Sequence, residues 1–239
     1  MKSRLLFILI FQILFLGCSL DDHGPDAGKN LKKNIVGKWE FESWGTWPVL
    51  EPAFMEFTEN GDVILFDSQG LETFDKYNVT SESTISVNKV VSLKYIEIKD
   101  KRITFYLTRK TGTDFIVANK ADTIDSEKTR LLTSTNWKML NELNGKDTLK
   151  YLSKATIRFT NSGTCLGLAT TLDSYIISNY YTWKWHPTVP ERILLTRYRG
   201  FPIKEEDRFL TVKNVTETSL SLSETKRQSV KNYEYVPDK

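Results

Sequence analysis

The feature of this sequence that most constrains its fold is an internal repeat. Residues 57–61 and residues 159–163 both have the pattern Phe-Thr-x-x-Gly, and apolar and polar residues alternate on either side of it. Glycine tolerates the positive φ angles that tight turns between strands require, so each segment predicts a β-hairpin. Because self-similarity along a chain indicates a structural unit that occurs twice, we expect two similar halves.

Other elements recur in the same order around these hairpins. Each half places a tryptophan early in an apolar strand, at Trp39 and at Trp137, and each has a later strand that begins at a tyrosine, Tyr77 or Tyr181. A second hairpin with alternating residues follows in both halves, as is typical of half-buried strands. Aromatic residues make up 12% of the chain, which also favours β-structure.

This order of elements resembles that of the lipocalin-like domains found in bacterial lipoproteins. Residues 37–39, Gly-Lys-Trp, are similar to the Gly-x-Trp signature that opens the first lipocalin strand, although Thr135 replaces the glycine in the second half. In lipocalins the tryptophan plugs the closed end of the barrel. The resemblance implies an all-β fold with two tandem small antiparallel β-barrels. Another β-sandwich or barrel and a single larger β domain are the alternatives.

The expected domain boundaries follow from composition. Residues 31–120 would form the first barrel domain, residues 131–239 the second, and the charged segment 121–130, which lacks aromatic residues, the linker between them. The chain that would remain after removal of a signal peptide, residues 18–239, has a length that suits one large or two small domains.

The amino terminus resembles the signal peptide of a bacterial lipoprotein. A short basic segment precedes an apolar run over residues 5–16, which ends in Leu-Gly-Cys at Cys18. The run is too short to cross a bilayer and fits a signal-peptide core. The resemblance implies removal of residues 1–17 and attachment of lipid to the Cys18 thiol. A signal peptide without lipid attachment and a short buried helix are the alternatives.

The residues that follow the cysteine predict where the protein is located. Residues 18–30 are polar and rich in Asp and Gly, which indicates a flexible tether. Several acyl chains on one cysteine anchor a protein stably. We therefore expect a lipid anchor in the outer membrane of a Gram-negative bacterium. The acidic residues resemble the export tag of lipoproteins displayed on the cell surface, and the periplasmic face is the alternative.

Composition argues against several classes of function. The formal net charge is only +3, and it falls when Lys2 and Arg4 leave with the signal segment, so nucleic acid is not an expected partner. With His186 as the one histidine outside the tether, and Cys165 in an apolar stretch, the chain offers neither a catalytic triad nor a metal site. Without a glycine-rich phosphate loop, we expect no enzyme, no metal and no cofactor.

Two aromatic clusters are the candidate ligand-binding residues. Trp44 and Trp47 lie after the first strand, where a lipocalin has the mouth of its barrel. Alternation places Tyr181, Trp183 and Trp185 on one face of a strand. Either cluster could contact a sugar or an apolar ligand. Packing over the barrel end and packing in the core are the alternatives.

Two non-catalytic functions are compatible with these observations, and hydrolysis of a glycoside by a pair of carboxylates is the remaining, catalytic alternative. The first is the binding of a small apolar or saccharide ligand by a monomeric, membrane-anchored lipoprotein. The second is an accessory or inhibitory surface lipoprotein that binds another protein. A hollow interior with convergent polar groups would favour the first, and barrels filled by their own side chains would favour the second.

Overall fold

The computed structural model describes residues 27–49, 53–66, 72–142, 152–174, 176–197, 208–226 and 229–238. The fold is almost entirely β, and the chain divides into two compact units, the first ending at Asn119 and the second beginning at Lys120. The predicted signal peptide and Cys18 lie outside the described residues. Among the described residues, no helix has the length and apolar character needed to cross a membrane.

In its described residues, the first unit, barrel 1, has one helix and ten strands. They are α1 (Ala27–Ile35), β1 (Gly37–Trp44), β2 (Trp47–Pro48), β3 (Phe54–Phe57), β4 (Asp62–Phe66), β5 (Glu72–Lys76), β6 (Asn78–Ser81), β7 (Thr84–Ser86), β8 (Ser92–Lys99), β9 (Arg102–Arg109) and β10 (Gly112–Lys120).

Over the part of the second unit that the structure describes, barrel 2 has one helix and eight strands. They are α2 (Glu127–Thr133), β11 (Asn136–Glu142), β12 (Leu152–Phe159), β13 (Thr164–Thr171), β14 (Ile176–Trp185), β15 (Arg192–Arg197), β16 (Arg208–Val215), β17 (Leu220–Lys226) and β18 (Ser229–Pro237).

The two units share one up-and-down topology. In barrel 2 each strand pairs with the next and β18 pairs with β11, which closes the sheet. In barrel 1 the order is β5-β4-β3-β1-β10-β9-β8-β7-β6, and only Tyr77 separates β5 from β6 in the chain. The pair β5–β6 therefore corresponds to the single strand β14. The prediction of an all-β fold with two tandem antiparallel barrels is confirmed.

The Phe-Thr-x-x-Gly segments form the same hairpin in both barrels. Gly61 and Gly163 have φ angles of 78° and 79°, and their amides donate to the carbonyl oxygens of Thr58 and Thr160 at 3.0 and 3.1 Å. Each threonine hydroxyl accepts a hydrogen bond at 3.0 Å from the amide four residues later. Positive φ angles explain why glycine occupies these turns.

An aromatic residue packs beneath each hairpin, and its identity corrects the sequence alignment. Tyr77 donates its hydroxyl to the Thr58 carbonyl oxygen at 3.2 Å, and Trp183 donates its indole N–H to the Thr160 carbonyl oxygen at 3.0 Å. The expected match of Tyr77 with Tyr181 is wrong by two residues, because Trp183 makes the contacts equivalent to those of Tyr77. A shift of two residues keeps the side chain on the same face of the strand, which is why alternation did not reveal it.

A helix precedes each barrel and is fastened to the buried tryptophan of the first strand. The Trp39 indole donates to the Ile35 carbonyl oxygen at 2.7 Å, and the Trp137 indole donates to the Leu132 carbonyl oxygen at 2.8 Å. Both tryptophans are completely buried. These hydrogen bonds satisfy helix carbonyl groups that have no partner within the helix. We call this the closed end of each barrel and the opposite end the open end.

These helices change the expected element boundaries. Helix α1 begins at Ala27, inside the segment 18–30 that we expected to be a flexible tether, and α2 begins at Glu127, inside the expected linker 121–130. Leu31 and Ile35 of α1 are buried in the core of barrel 1, and Leu132 of α2 is buried in that of barrel 2. The helices are parts of the barrels, because their few apolar residues complete the closed ends.

Candidate functional site

The interior of barrel 1 is filled by its own side chains. In the layer towards the open end, Leu65, Leu107 and Ile116 are completely buried within one continuous apolar cluster. Trp44 and Val49 pack on this cluster. The described part of barrel 1 therefore leaves no room for a ligand at this level.

The structure separates the two tryptophans that we considered as ligand contacts in barrel 1. Trp44 is partly buried, lies against Phe41 at a ring-centroid distance of 5.5 Å, and has the Arg109 guanidinium 4.6 Å from its own ring centroid. Arg109 is held in turn by Asp114 at 2.6 Å. Trp47 is the cross-strand partner of Trp44 but remains 77% exposed. Packing over the barrel end accounts for Trp44.

Barrel 2 differs from barrel 1 in this same layer. Counting from the paired glycine turns, Gly167 occupies the place of Leu65, because each lies four residues after the turn glycine on an inward-facing position. The first buried residue of β9 is Ile103 and that of β17 is Leu220, and these two positions are equivalent. Leu107 and Glu224 each lie four residues later in their strands. Glu224 therefore occupies the position that Leu107 has in barrel 1.

The third replacement follows from strand register. In barrel 1, Ile116 is the cross-strand partner of Phe105, and in barrel 2 Tyr233 is the partner of the equivalent Leu222. Gly167, Glu224 and Tyr233 are all partly exposed. Solvent thus reaches a layer that is sealed in barrel 1.

These residues and their neighbour Asn179 form what we call the barrel 2 cup. Tyr233 donates its hydroxyl to the Glu224 carboxylate at 3.1 Å, and Asn179 is the cross-strand partner of Gly167. A Cβ added at Gly167 would meet only the Asn179 carbonyl oxygen, at 4.0 Å. The cup therefore combines room for at least a Cβ beside Gly167 with a carboxylate, a phenol and an amide.

The floor of the cup is apolar. Cys165 and its cross-strand partner Tyr181 are buried on the inward face, one step closer to the closed end than Gly167 and Asn179. An apolar floor beneath a few polar groups is the usual composition of a small-molecule site. Polar groups at the wall would fix the orientation of a ligand, while the floor would pack against its carbon skeleton.

The three aromatic residues predicted on β14 all face the interior, but at different depths. Tyr181 is 7% exposed and forms part of the floor, whereas Trp183 is 3% exposed and belongs to the closed end. Trp185 is partly exposed, donates its indole N–H to the Thr129 hydroxyl at 2.9 Å, and packs edge-to-face on Trp183. Core packing accounts for Trp183, and Tyr181 alone of the three borders the cup.

Trp185 instead borders a shallow depression outside the barrel interior. This depression of about 350 Å³ is also lined by Lys128, His186 and Thr188. Lys128 donates to the Pro190 carbonyl oxygen at 3.0 Å, and the His186 Nδ1 accepts backbone hydrogen bonds from Thr188 and Val189. Lys128 Nζ and His186 Nδ1 thereby fasten the turn after β14.

Sequence reasoning missed the residues of the cup. The signal was present in β17, where alternation places Glu224 on the same face as the apolar Leu220 and Leu222. A charged residue on an apolar strand face is unusual, because burying a charge without compensation is costly. Gly167 gave a second signal, since glycine inside a strand marks a place where something else approaches.

Comparisons with known proteins identified no relative of this chain. No family model, no curated protein and no solved structure matches it. Within the described part of the chain, no group of three or more His, Cys, Asp or Glu side chains is placed to hold a metal ion. The case for function therefore depends on the geometry of the two barrels.

Proposed function

We propose that this protein is a membrane-anchored, non-catalytic lipoprotein that binds a small ligand rich in hydrogen-bonding groups in the barrel 2 cup. A saccharide of one or two rings has the required chemistry, because its hydroxyl groups both donate and accept hydrogen bonds. The protein would act as a monomer, held at the outer membrane by lipid on Cys18. The acidic residues that follow Cys18 resemble the export tag of surface lipoproteins, which favours display at the cell surface.

One observation carries the proposal. Two copies of one barrel design occur in the same chain, and three apolar residues that seal barrel 1 are replaced in barrel 2 by Gly167, Glu224 and Tyr233. A buried leucine contributes about 1.5–3 kcal/mol to stability relative to an exposed one. Barrel 2 lacks this stabilisation at Gly167 and Glu224, and its Tyr233 packs against the core without being fully buried, which is the pattern expected where binding competes with packing.

The test compares the native and denatured masses of the full-length protein, isolated in detergent from the membranes of its source bacterium. We expect native mass spectrometry to show an additional mass of one or two sugar rings that is lost on denaturation. Gly167→Leu should remove this mass, because it places in barrel 2 the side chain that fills barrel 1. The variant should fold, since a Cβ at this position has room.

Two controls separate the cup from general effects on the fold. Lys213→Leu introduces the same side chain at an exposed position of β16 and should leave the bound mass unchanged. Glu224→Gln removes the charge of the cup and should reduce occupancy, whereas Glu217→Gln makes the same change in an exposed turn. An additional mass that persists in Gly167→Leu would contradict binding in the cup.

A further inference from the structure

The outer wall of barrel 1 carries three exposed aromatic side chains in contact with one another. Tyr95, Tyr106 and Phe115 lie on the adjacent strands β8, β9 and β10 and are 71%, 43% and 39% exposed. The Tyr95 and Tyr106 ring centroids are 5.9 Å apart, and those of Tyr106 and Phe115 are 5.2 Å apart. We call these three residues the aromatic patch.

The patch depends on an irregularity in β8 that turns Tyr95 outward. Leu93 and Ile96 are both buried, while Lys94 and Tyr95 between them are both exposed, so the alternation of a regular strand is broken. The register with β9 shifts between Lys94 and Glu97, which is a β-bulge. Bulges of this kind redirect side chains and are frequent beside functional sites.

The backbone at the bulge is strained. Tyr95 has a φ angle of 53°. This backbone conformation is energetically unfavourable for most residues other than glycine, and aromatic residues rarely adopt it. The side chain recovers little of this cost by burial, because it is mostly exposed. A strained residue that presents an apolar ring to solvent indicates a function for the ring.

Barrel 2 shows that the barrel design does not require the patch. Strand β16 has a bulge at the equivalent place, between Val212 and Asn214, but there the outward residue is Lys213. Phe105 of barrel 1 corresponds to Leu222 of barrel 2. In this register Ser223 occupies the position of Tyr106, and its cross-strand partner Asn232 occupies that of Phe115. The aromatic residues are therefore specific to barrel 1.

The size of the patch limits its ligand. At about 200 Å² for one aromatic side chain, the exposed fractions correspond to on the order of 300 Å². A stable interface with another protein, or with a second copy of this chain, buries about 800 Å² on each partner. The three rings alone supply less than half of that area, whereas the stacking of a few sugar rings requires only exposed ring faces.

The surroundings of the patch suit a neutral, hydroxylated ligand. The exposed Lys94 and Glu97 carry opposite charges on the same strand, and Thr108 and Thr113, whose hydroxyl oxygens are 3.1 Å apart, border it on the next row of the sheet. Aromatic ring faces are electron-rich, so they attract the C–H groups on the flat face of a pyranose ring. Hydroxyl and charged groups around the rings can bond the sugar hydroxyls.

From these observations we infer that the aromatic patch of barrel 1 is a second binding site, which takes a neutral oligosaccharide chain by stacking on Tyr95, Tyr106 and Phe115. This site is independent of the barrel 2 cup, because it is built from different residues on the outer wall of the other barrel.

The experiment titrates the full-length, detergent-solubilised protein with three soluble hexasaccharides, a linear α-1,4-glucan, β-1,4-glucan and β-1,4-mannan. Calorimetry should detect at least one of them at about millimolar concentration, and Tyr106→Ala should weaken its binding about tenfold. Leu172→Ala is the matched control, since it removes an exposed apolar side chain from barrel 2 and should leave binding unchanged.

A second variant distinguishes a binding role from a structural one. Asparagine tolerates positive φ angles, so Tyr95→Asn should weaken binding about tenfold while the melting temperature stays constant or rises. If the affinity for the sugar and the melting temperature both fall, Tyr95 supports the fold, and the assignment of Tyr95 as a stacking residue is overturned.

The remaining outcomes are also decisive. The inference is overturned if none of the three sugars binds, or if binding survives both patch variants. Sugar binding that is lost in Gly167→Leu but retained in Tyr106→Ala would assign the oligosaccharide to the cup. A protein that co-purifies with the wild type and is lost in Tyr106→Ala, without any sugar binding, would replace the saccharide by a protein partner.

Discussion

Tyr77 illustrates how a single buried residue makes stability depend on pH. Burial, with a smaller contribution from the nearby Asp62 carboxylate, raises the pKa of Tyr77 above its usual value of 10.0. The folded protein therefore retains the phenol proton to a higher pH than the unfolded chain does. The resulting stability is fully present below the pKa of the unfolded chain and is lost as pH rises through that of the folded protein.

We expect Tyr77→Phe to lower the free energy of unfolding at neutral pH by about 1 kcal/mol, because the hydrogen bond to the Thr58 carbonyl oxygen is lost. The difference from wild type should shrink as pH rises above about 10, since phenylalanine has no proton to lose. Urea unfolding of both proteins at several alkaline pH values measures this. If the difference in the free energy of unfolding between the two proteins stays constant as pH rises, the phenol of Tyr77 has the same pKa in the folded and unfolded states.

At the residue scale, the sequence predicted what local sterics decide. Gly61 and Gly163 were predictable because a tight turn needs a positive φ angle. Tyr95 was not, because a tyrosine gives no sign that it will adopt the φ angle of 53° that turns it outward. A bulge shifts strand register by one residue and exchanges inward and outward faces, and its position depends on packing across strands.

Helix α1 is the element whose role the sequence concealed. Among the residues of its segment whose burial is described, two apolar residues are buried, Leu31 and Ile35, four positions apart and so on one face of the helix. A helix of nine residues is unstable alone in water. The closed end of barrel 1 supplies the stabilisation, through burial and through the hydrogen bond from Trp39 to Ile35.

Ile35→Ala should therefore destabilise barrel 1 by about 2–4 kcal/mol, because it removes a completely buried side chain from a packed core. Lys32→Ala changes an exposed residue of the same helix and should alter the free energy of unfolding by less than about 0.5 kcal/mol. Denaturant unfolding, monitored by near-ultraviolet circular dichroism, compares the two. Equal stability of both variants would indicate that α1 contributes nothing to the barrel, as a flexible tether would.

At the scale of the whole molecule, the two barrels share one framework and differ in the features that we propose to bind ligands. The framework is constant, since the glycine turns, the buried tryptophans and the short helices occur in both. The differences lie at a few positions that the framework does not require, in the cup of barrel 2 and on the wall of barrel 1. The sequence predicted the framework because its motifs are repeated. It did not predict the cup or the aromatic patch, because single differences between the barrels can be recognised only when the strands of the two barrels are aligned in register.

The anchor predicts how the whole molecule behaves in the cell. If Cys18 carries lipid, Cys18→Ala should move the protein from the membrane fraction to the soluble fraction, because several acyl chains provide stable attachment and none would remain. Cys165→Ala is the matched control. It removes the only other thiol, which is buried in barrel 2, and should leave the distribution unchanged.

Fractionation of both variants after a high-salt wash separates lipid anchoring from electrostatic adsorption, since salt screens the attraction of charged groups to a membrane surface. We expect wild type and Cys165→Ala to remain with the membrane and Cys18→Ala to be released. Retention of Cys18→Ala after the wash would contradict lipid attachment at this residue. The protein would then be held by its uncleaved apolar segment or by a membrane-bound partner, and its barrels would be displayed without the lipid anchor that the signal sequence implies.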